Sequence, residues 1–225
     1  MTDTKAKTKR RGARPRRPAA KPRRPGSYHH GSLRQALLEA AERILERDGI
    51  GGLTLRAAAR EAGVSHAAPK NHFGDAAGLL SELAAVGFER FAAGMRPGVH
   101  GDDSPDRRMA AIGHGYVAFA RTHPGLFLLM FRSERLDMSR PALQAATRAA
   151  AGVLSGAISA RRGETIEAAP TLSQAAEIAA AWSLTHGFAM LLLDGRLKPL
   201  LAGLPPGVGV DDLLGAVFRV VRSRG

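Results

Sequence analysis

The sequence predicts an all-α fold of about nine helices, with three observations behind it. Apolar residues recur at three- and four-residue spacing through successive stretches. Helix-start signals stand ahead of those stretches, and Gly or Pro stands after them. No stretch alternates as a strand between hairpin signals. The 225 residues are 44% hydrophobic but only 5% aromatic, so Ala, Leu and Val must fill the core.

The elements follow in order. Ser32 and Gln35 have capping-box spacing, and Leu33, Leu37, Ala40, Ala41 and Ile44 follow on one face. Asp48-Gly49 should end this helix. Thr54 can cap a second helix over 55–62, and Gly63 can supply a left-handed turn. Ser65 can cap a short third helix ending near His72-Phe73, and Asp75 a fourth running to about Met95. The Gly- and Pro-containing stretch 96–105 reads as a boundary. Five more helices are expected over 106–122, 124–132, 140–161, 171–194 and 210–223, and Thr171 with Gln174 repeats the capping-box spacing. Three units result: a basic arm over 1–27, a domain over 28–95 and a second helical domain over 96–225.

Composition excludes several classes. With no Cys there is no disulfide scaffold, thiolate zinc site, iron–sulfur cluster or cysteine nucleophile. The longest apolar runs, 126–131 and 188–193, have six residues each, against about 20 for a membrane span. The basic N-terminus lacks the apolar segment of a secretory signal, so a cytoplasmic protein is expected. No nucleophile elbow, phosphate loop or dinucleotide fingerprint occurs, and the eight His form no His-Glu-x-x-His pattern. The expectation is therefore no catalytic residue, no metal and no cofactor.

Charge is unevenly placed. Residues 1–27 hold 11 Lys and Arg against one acid, Asp3, with four Pro and no aromatic residue. Such a segment cannot offset its ordering entropy by burial and is expected to be disordered, either as a solubilising tail or as an arm on a polyanion. Residues 28–95 hold seven Arg and Lys and eight Asp and Glu, a net of −1.

Within that nearly neutral domain, residues 54–73 (TLRAAAREAGVSHAAPKNHF) read as helix, tight turn and second helix. Ala58, Ala59 and Ala62 permit close crossing, and Leu55, Val64, Ala68 and Phe73 can face inward. Ser65, His66, Ala67, Lys70, Asn71 and His72 are left on or near the outer face. A helix-turn-helix places the start of its second helix in the major groove of double-stranded DNA, with phosphate contacts from the helix N-terminus. An ordinary packed helix pair has the same spacing.

The stretch 31–91 resembles the DNA-binding domain of the tetracycline-repressor (TetR) family of transcriptional regulators. The resemblance rests on Ile44-Leu45, Gly49, Leu53-Thr54-Leu55-Arg56, Ala62-Gly63-Val64-Ser65, His72-Phe73-Gly74 and Leu79-Leu80. It implies that Thr54 and Arg56 contact DNA backbone, and that Ser65, His66, Ala67, Lys70, Asn71 and His72 face the groove. The family usually has Tyr where Lys70 stands and Lys where Ala76 stands. Lys70 can still reach a phosphate or a guanine edge, whereas Ala76 can do neither.

In the second domain, apolar residues cluster around Tyr116, Phe119, Leu126-Phe127 and Leu129-Met130-Phe131, and Trp182, His186 and Met190 follow at steps of four. Core packing alone would account for them. The Trp182…His186-Gly187 pattern, with His66-Ala67-Ala68-Pro69, resembles one branch of the TetR family. That resemblance implies a ligand-sensing and dimerising domain, a homodimer through the last two long helices, and repression released by a small molecule. The candidate pocket residues are Phe119, Phe127, Met130, Phe131, Trp182, His186 and Met190, which suit a small apolar effector with one polar handle. The stripe Leu213, Leu214, Val217, Phe218 and Val221 can pack internally or on a partner. A nonspecific nucleic-acid-coating protein driven by the arm is the alternative reading. A family member that has lost DNA readout is a further one.

Overall fold

The computed structural model describes residues 1–2, 30–96 and 104–222. Residues 3–27 of the basic arm and 97–103 of the predicted boundary lie outside the described residues. Ten α-helices and one short 3-10 turn form among the described residues, with no strand. They are α1 (His30–Gly52), α2 (Leu55–Glu61), α3 (Ala68–Phe73), α4 (Ala76–Gly94), α5 (Pro105–Thr122), α6 (Pro124–Met130), α7 (Pro141–Arg162), α8 (Leu172–Leu193), α9 (Lys198–Ala202) and α10 (Val210–Arg222). The 3-10 turn, Ser133–Arg135, lies between α6 and α7.

Local chemistry explains most boundaries. α1 breaks at Gly49, where φ is 69°, so regular helix ends at Asp48-Gly49 and the last residues are a separate turn. Thr54 caps α2 by accepting from the Ala57 amide at 3.0 Å, and Asp75 caps α4 by accepting from Gly78 at 2.8 Å. At α8 both halves of a capping box form: Thr171 Oγ accepts from the Gln174 amide at 3.3 Å, and Gln174 Oε1 accepts from the Thr171 amide at 2.9 Å. α7 ends in a left-handed Gly163.

Three expectations are corrected. α1 starts at His30, so Ser32 lies inside its first turn rather than ahead of it. Ser65 does not cap α3. Ala67 occupies that position without a side-chain bond, and Pro69 supplies the preset φ of a first turn. The short α9, between the helices expected over 171–194 and 210–223, is an addition, because a five-residue helix containing Pro199 carries too little periodicity to read.

α1, α2 and α3 pack as a three-helix group through the buried Leu37, Ala41, Ile44, Ala58 and Phe73. α4 runs from that group into the second one and packs along α5, α6 and α7. α5 also packs on α8 and α10. α8 is long and apolar enough, by length and composition, to cross a membrane, although no unbroken apolar run in it reaches that length. Its inward side, with Thr185, Phe188 and Ala189, is buried against the bundle.

Two polar clips join the helical groups. At the first, Glu46 of α1 accepts from the amides of Gly125 (2.9 Å) and Leu126 (3.0 Å). These are orphan donors of the first turn of α6, so the carboxylate caps a helix that belongs to the other group. A Cβ on Gly125 would lie 3.0 Å from both Glu46 Oε2 and the Leu45 carbonyl oxygen, and the bare backbone allows this approach. At the second clip, Glu82 of α4 pairs with both Arg34 of α1 and Arg140 at the start of α7.

Replacing Glu46 by Ala should cost about 1–2 kcal/mol of stability, since it removes a charged cap from two amides at once. Chemical denaturation of the variant against wild type checks this, and Glu46→Gln, which keeps one acceptor, should fall between them.

Candidate nucleic-acid interface and cavity

The helix-turn-helix is built by the turn between α2 and α3. Gly63 takes φ 68°, its amide donates to the Arg60 carbonyl at 3.2 Å, and the Val64 amide donates to the Ala59 carbonyl at 3.0 Å. This is the two-bond helix stop that a left-handed residue provides. Nothing lies within 4 Å of a Cβ placed on Gly63, so the demand for glycine there comes from the backbone angle alone. Ala58 and Ala59 are fully buried at the crossing.

Thr54, Arg56, Ser65, His66, Ala67, Lys70 and Asn71 are all exposed. His66 and Ala67 precede the regular turns of α3, and Lys70 and Asn71 follow three to five residues later along the same helix. His72 is only half-exposed, its ring 6.2 Å from that of Phe73. Phe73 is buried beneath the Arg34 guanidinium, which stands 5.9 Å above its ring.

Ion pairing decides which cations of this group are free. Arg34 is held by Glu82, Arg43 by Glu61 at 3.3 Å, Arg47 by Asp48 at 2.9 Å, and Arg90 by Glu42 at 2.6 Å. The hydrogen bond from Arg47 holds the Asp48 carboxyl below the usual carboxylate range, with Arg60 adding a weaker attraction. Of this group's cations, Arg56, Arg60 and Lys70 form no ion pair among the described residues. All three stand on the helix-turn-helix.

A cavity of about 1050 Å³ opens between α4, α5, α7, α8 and α10. Its walls are apolar: Phe88, Phe91 and Met95 from α4 and its cap, Met109 and Ile112 from α5, Leu154 from α7, Ile178 and Trp182 from α8, and Phe218 from α10. Phe218 seats against Gly113, where a Cβ would come within 2.3 Å of the ring. The polar groups of the middle are satisfied internally. Thr147 donates to the Leu143 carbonyl at 2.9 Å and Thr185 to the Ala181 carbonyl at 3.0 Å. Charged residues also line it: Arg161, which pairs with Glu177, and Arg219 from α10.

Three of the seven predicted pocket residues, Met130, Phe131 and Trp182, line this cavity. Phe119 does not. It packs on Phe91 (5.2 Å) and His123 (5.1 Å). Phe127 is wholly buried among Phe91, Tyr116 and Phe131. His186 lies behind the lining, its Nδ1 2.8 Å from the Tyr116 hydroxyl. Met190 is half-buried against the core. The four-residue spacing was misleading because each step of four advances about 40° around a helix, so by Met190 the face has turned from cavity to core. The contributions of α4 and α10 were missed. Phe88, Phe91 and Met95, at spacings of three and four, were the available signal.

Burial pushes the Tyr116 phenol up and the His186 imidazole down, so both are held neutral beside one another. No cluster of three or more His, Asp or Glu suited to a metal occurs among the described residues.

Two family models match the chain. "Bacterial regulatory proteins, tetR family" covers residues 37–83, and "Tetracyclin repressor-like, C-terminal domain" covers 109–208. A solved structure from Rhodococcus sp. RHA1, of a protein with unknown function, is 35% identical, with a TM-score of 0.69 over 87% of this chain and 96% of that one. The transcriptional regulator FadR from Bacillus subtilis, solved in complex with stearoyl-CoA, shares the fold at 11% identity, with a TM-score of 0.58 over 83% of this chain and 96% of that one. The uncharacterized HTH-type transcriptional regulator YobS of Bacillus subtilis (strain 168) is 27% identical over 111 residues, 48% of this chain. That match spans 58% of YobS. The chain belongs to the TetR family, whose members are DNA-binding transcriptional regulators.

The His186 site generates a pH prediction. Its folded pKa lies below the unfolded value of about 6.5, so its contribution is complete above that pH and is lost as pH falls below it. Thermal melts between about pH 5 and 8 should show an acid-side decline that is shallower in His186→Gln. Equal slopes in the two proteins would contradict the assignment.

Proposed function

We propose that this TetR-family regulator is a ligand-responsive repressor that binds a palindromic operator as a homodimer. Each copy presents α2 and α3 to one half-site. The observation that carries the reading is the pattern of charge pairing. Four of the seven Arg and Lys between residues 28 and 95 are held in ion pairs, and the other three, Arg56, Arg60 and Lys70, all stand on the exposed helix-turn-helix. In this reading Thr54 and Arg56 hold backbone phosphates. His66, Lys70 and Asn71 reach base edges or phosphates, with Ser65, Ala67 and His72 beside them.

The near-neutral domain leaves a shortfall of positive charge, and the arm over residues 1–27 supplies it through phosphate and minor-groove contacts. Dimerisation uses α8 and α10, the last two long helices. The outer side of α8 exposes Leu191, and α10 exposes Val220 and Val221, an apolar surface that a second copy would cover. Such an interface explains why a helix of membrane-spanning composition lies on the outside of the bundle.

The effector is a small, mainly apolar molecule held in the 1050 Å³ cavity, its polar end toward Arg161, Glu177 and Arg219. The stearoyl-CoA in the FadR structure supports this, since the same fold there accommodates an acyl compound. Effector binding favours a conformation in which the recognition helices are badly spaced, and DNA is released by that population shift. The work asked of the chain is binding, without catalysis or a cofactor, in the cytoplasm.

Site selection from random DNA with the full-length chain tests the reading, followed by a salt titration. The expected product is a palindrome with half-sites about one helical turn apart. Lys70→Ala should weaken binding to it by roughly 5- to 150-fold, the span of about 1–3 kcal/mol. Deleting residues 2–27 should flatten the dependence of log K on log salt by about 0.9 per lost phosphate contact. Equal affinity for selected and random DNA would favour the coating protein instead.

A further inference from the structure

We propose that Arg140 is a positioning residue that sets the pose of the recognition helix α3 and thereby the operator's half-site spacing. The proposal rests on the operator-binding reading above. Arg140 immediately precedes α7, yet its side chain reaches into the other helical group. Nη2 donates to the carbonyl of Phe73, the last residue of α3, at 2.8 Å. Nη1 donates to Glu82 on α4 at 3.3 Å, and Nε lies 3.4 Å from Asp137. The Phe73 carbonyl is one of the orphan acceptors at a helix C-terminus, where a cation is favoured. One planar guanidinium thus fixes the end of α3 and the flank of α4 together.

The surrounding groups are shaped for this contact. Gly78 on α4 is the residue the guanidinium passes over. A Cβ there would come within 2.0 Å of the Phe73 carbonyl oxygen and 2.3 Å of Arg140 Nη2. Ser81, wholly buried one turn along α4, accepts from the Asp137 amide at 2.8 Å and donates to the Ala77 carbonyl at 2.7 Å. Glu82 is shared with Arg34, whose guanidinium lies over the Phe73 ring. The segment ending in Arg140 is therefore pinned to α4 at two points.

The same segment forms part of the cavity wall. Phe131 at its start and Met138, two residues before Arg140, both line the cavity. The path from cavity to α3 is thus a short covalent one followed by a charged hydrogen bond, and needs no chain of side-chain displacements. In a dimer, a rotation of α3 in each copy changes the separation of the two recognition helices. Discrimination between half-site spacings is the property that Arg140 controls.

The test measures Kd for the selected operator and for versions with one base pair added to or removed from its centre. The proteins are full-length wild type, Arg140→Met, Arg140→Lys and Ile158→Val. Ile158 is fully buried in α7, belongs neither to the Arg140 contacts nor to the cavity lining, and its variant serves as a control for lost stability. Wild type and Ile158→Val should each prefer the native spacing by about tenfold or more. Arg140→Met should bind all three spacings within about threefold, and Arg140→Lys, which keeps a single donor, should fall between. Should Arg140→Met not fold, Arg140→Lys carries the test. Wild-type discrimination retained in the Arg140 variants, or lost equally in Ile158→Val, would overturn the proposal. A wild type with no preferred operator would overturn the operator reading first, and this proposal with it.

Discussion

The carboxylate of Glu82 is the junction on which the arrangement depends. It sits on α4 between two guanidinium groups, Arg34 from α1 and Arg140 from the start of α7, and is largely shielded from solvent. A carboxylate in that position would be costly without partners, and each arginine would lose its orientation without the carboxylate. Because the two arginines come from opposite helical groups, a local electrostatic requirement becomes a constraint on how those groups are set against each other. The Glu46 clip on α6 adds a second constraint at a distance along α1. A three-helix group joined to the rest through α4 and through the packing of α1 on α6 is thereby held in a defined pose.

That pose gives meaning to the distribution of charge. The DNA-binding group spends most of its arginines on internal ion pairs, which fix geometry and contribute little attraction for a polyanion. Surface pairs of this kind stabilise weakly, so their main effect here is on where free charge remains. It remains at Arg56, Arg60 and Lys70. The proposed division of labour is between a shaped, almost neutral reading surface and a strongly basic arm.

Local signals made much of the fold legible. Gly63, Thr54, Asp75 and the Thr171–Gln174 capping box each act within four residues, so their spacing alone predicts the bond that forms. The exposed face of α3 could be read for the same reason. Ser65 failed because Pro69 already favours a helix start two residues after the expected cap. The cavity was only partly legible, since its lining depends on which faces of five helices converge. The Trp182–His186–Met190 spacing described one helix but not its rotation against its neighbours. Nothing local marked Arg140, whose three partners lie near it in space but mostly far from it in sequence.

The central claim is that α3 is held rigidly against the rest of the molecule in the proposed dimer. The absence of cysteine permits a direct test. A single cysteine introduced at Asn71 and spin-labelled places one label on each recognition helix, and pulsed electron resonance then gives the distance between them in the protein without DNA. The account predicts one narrow distribution, centred near a separation of roughly 34–36 Å that one turn of DNA imposes. A broad distribution, or no intermolecular distance at all, would contradict it.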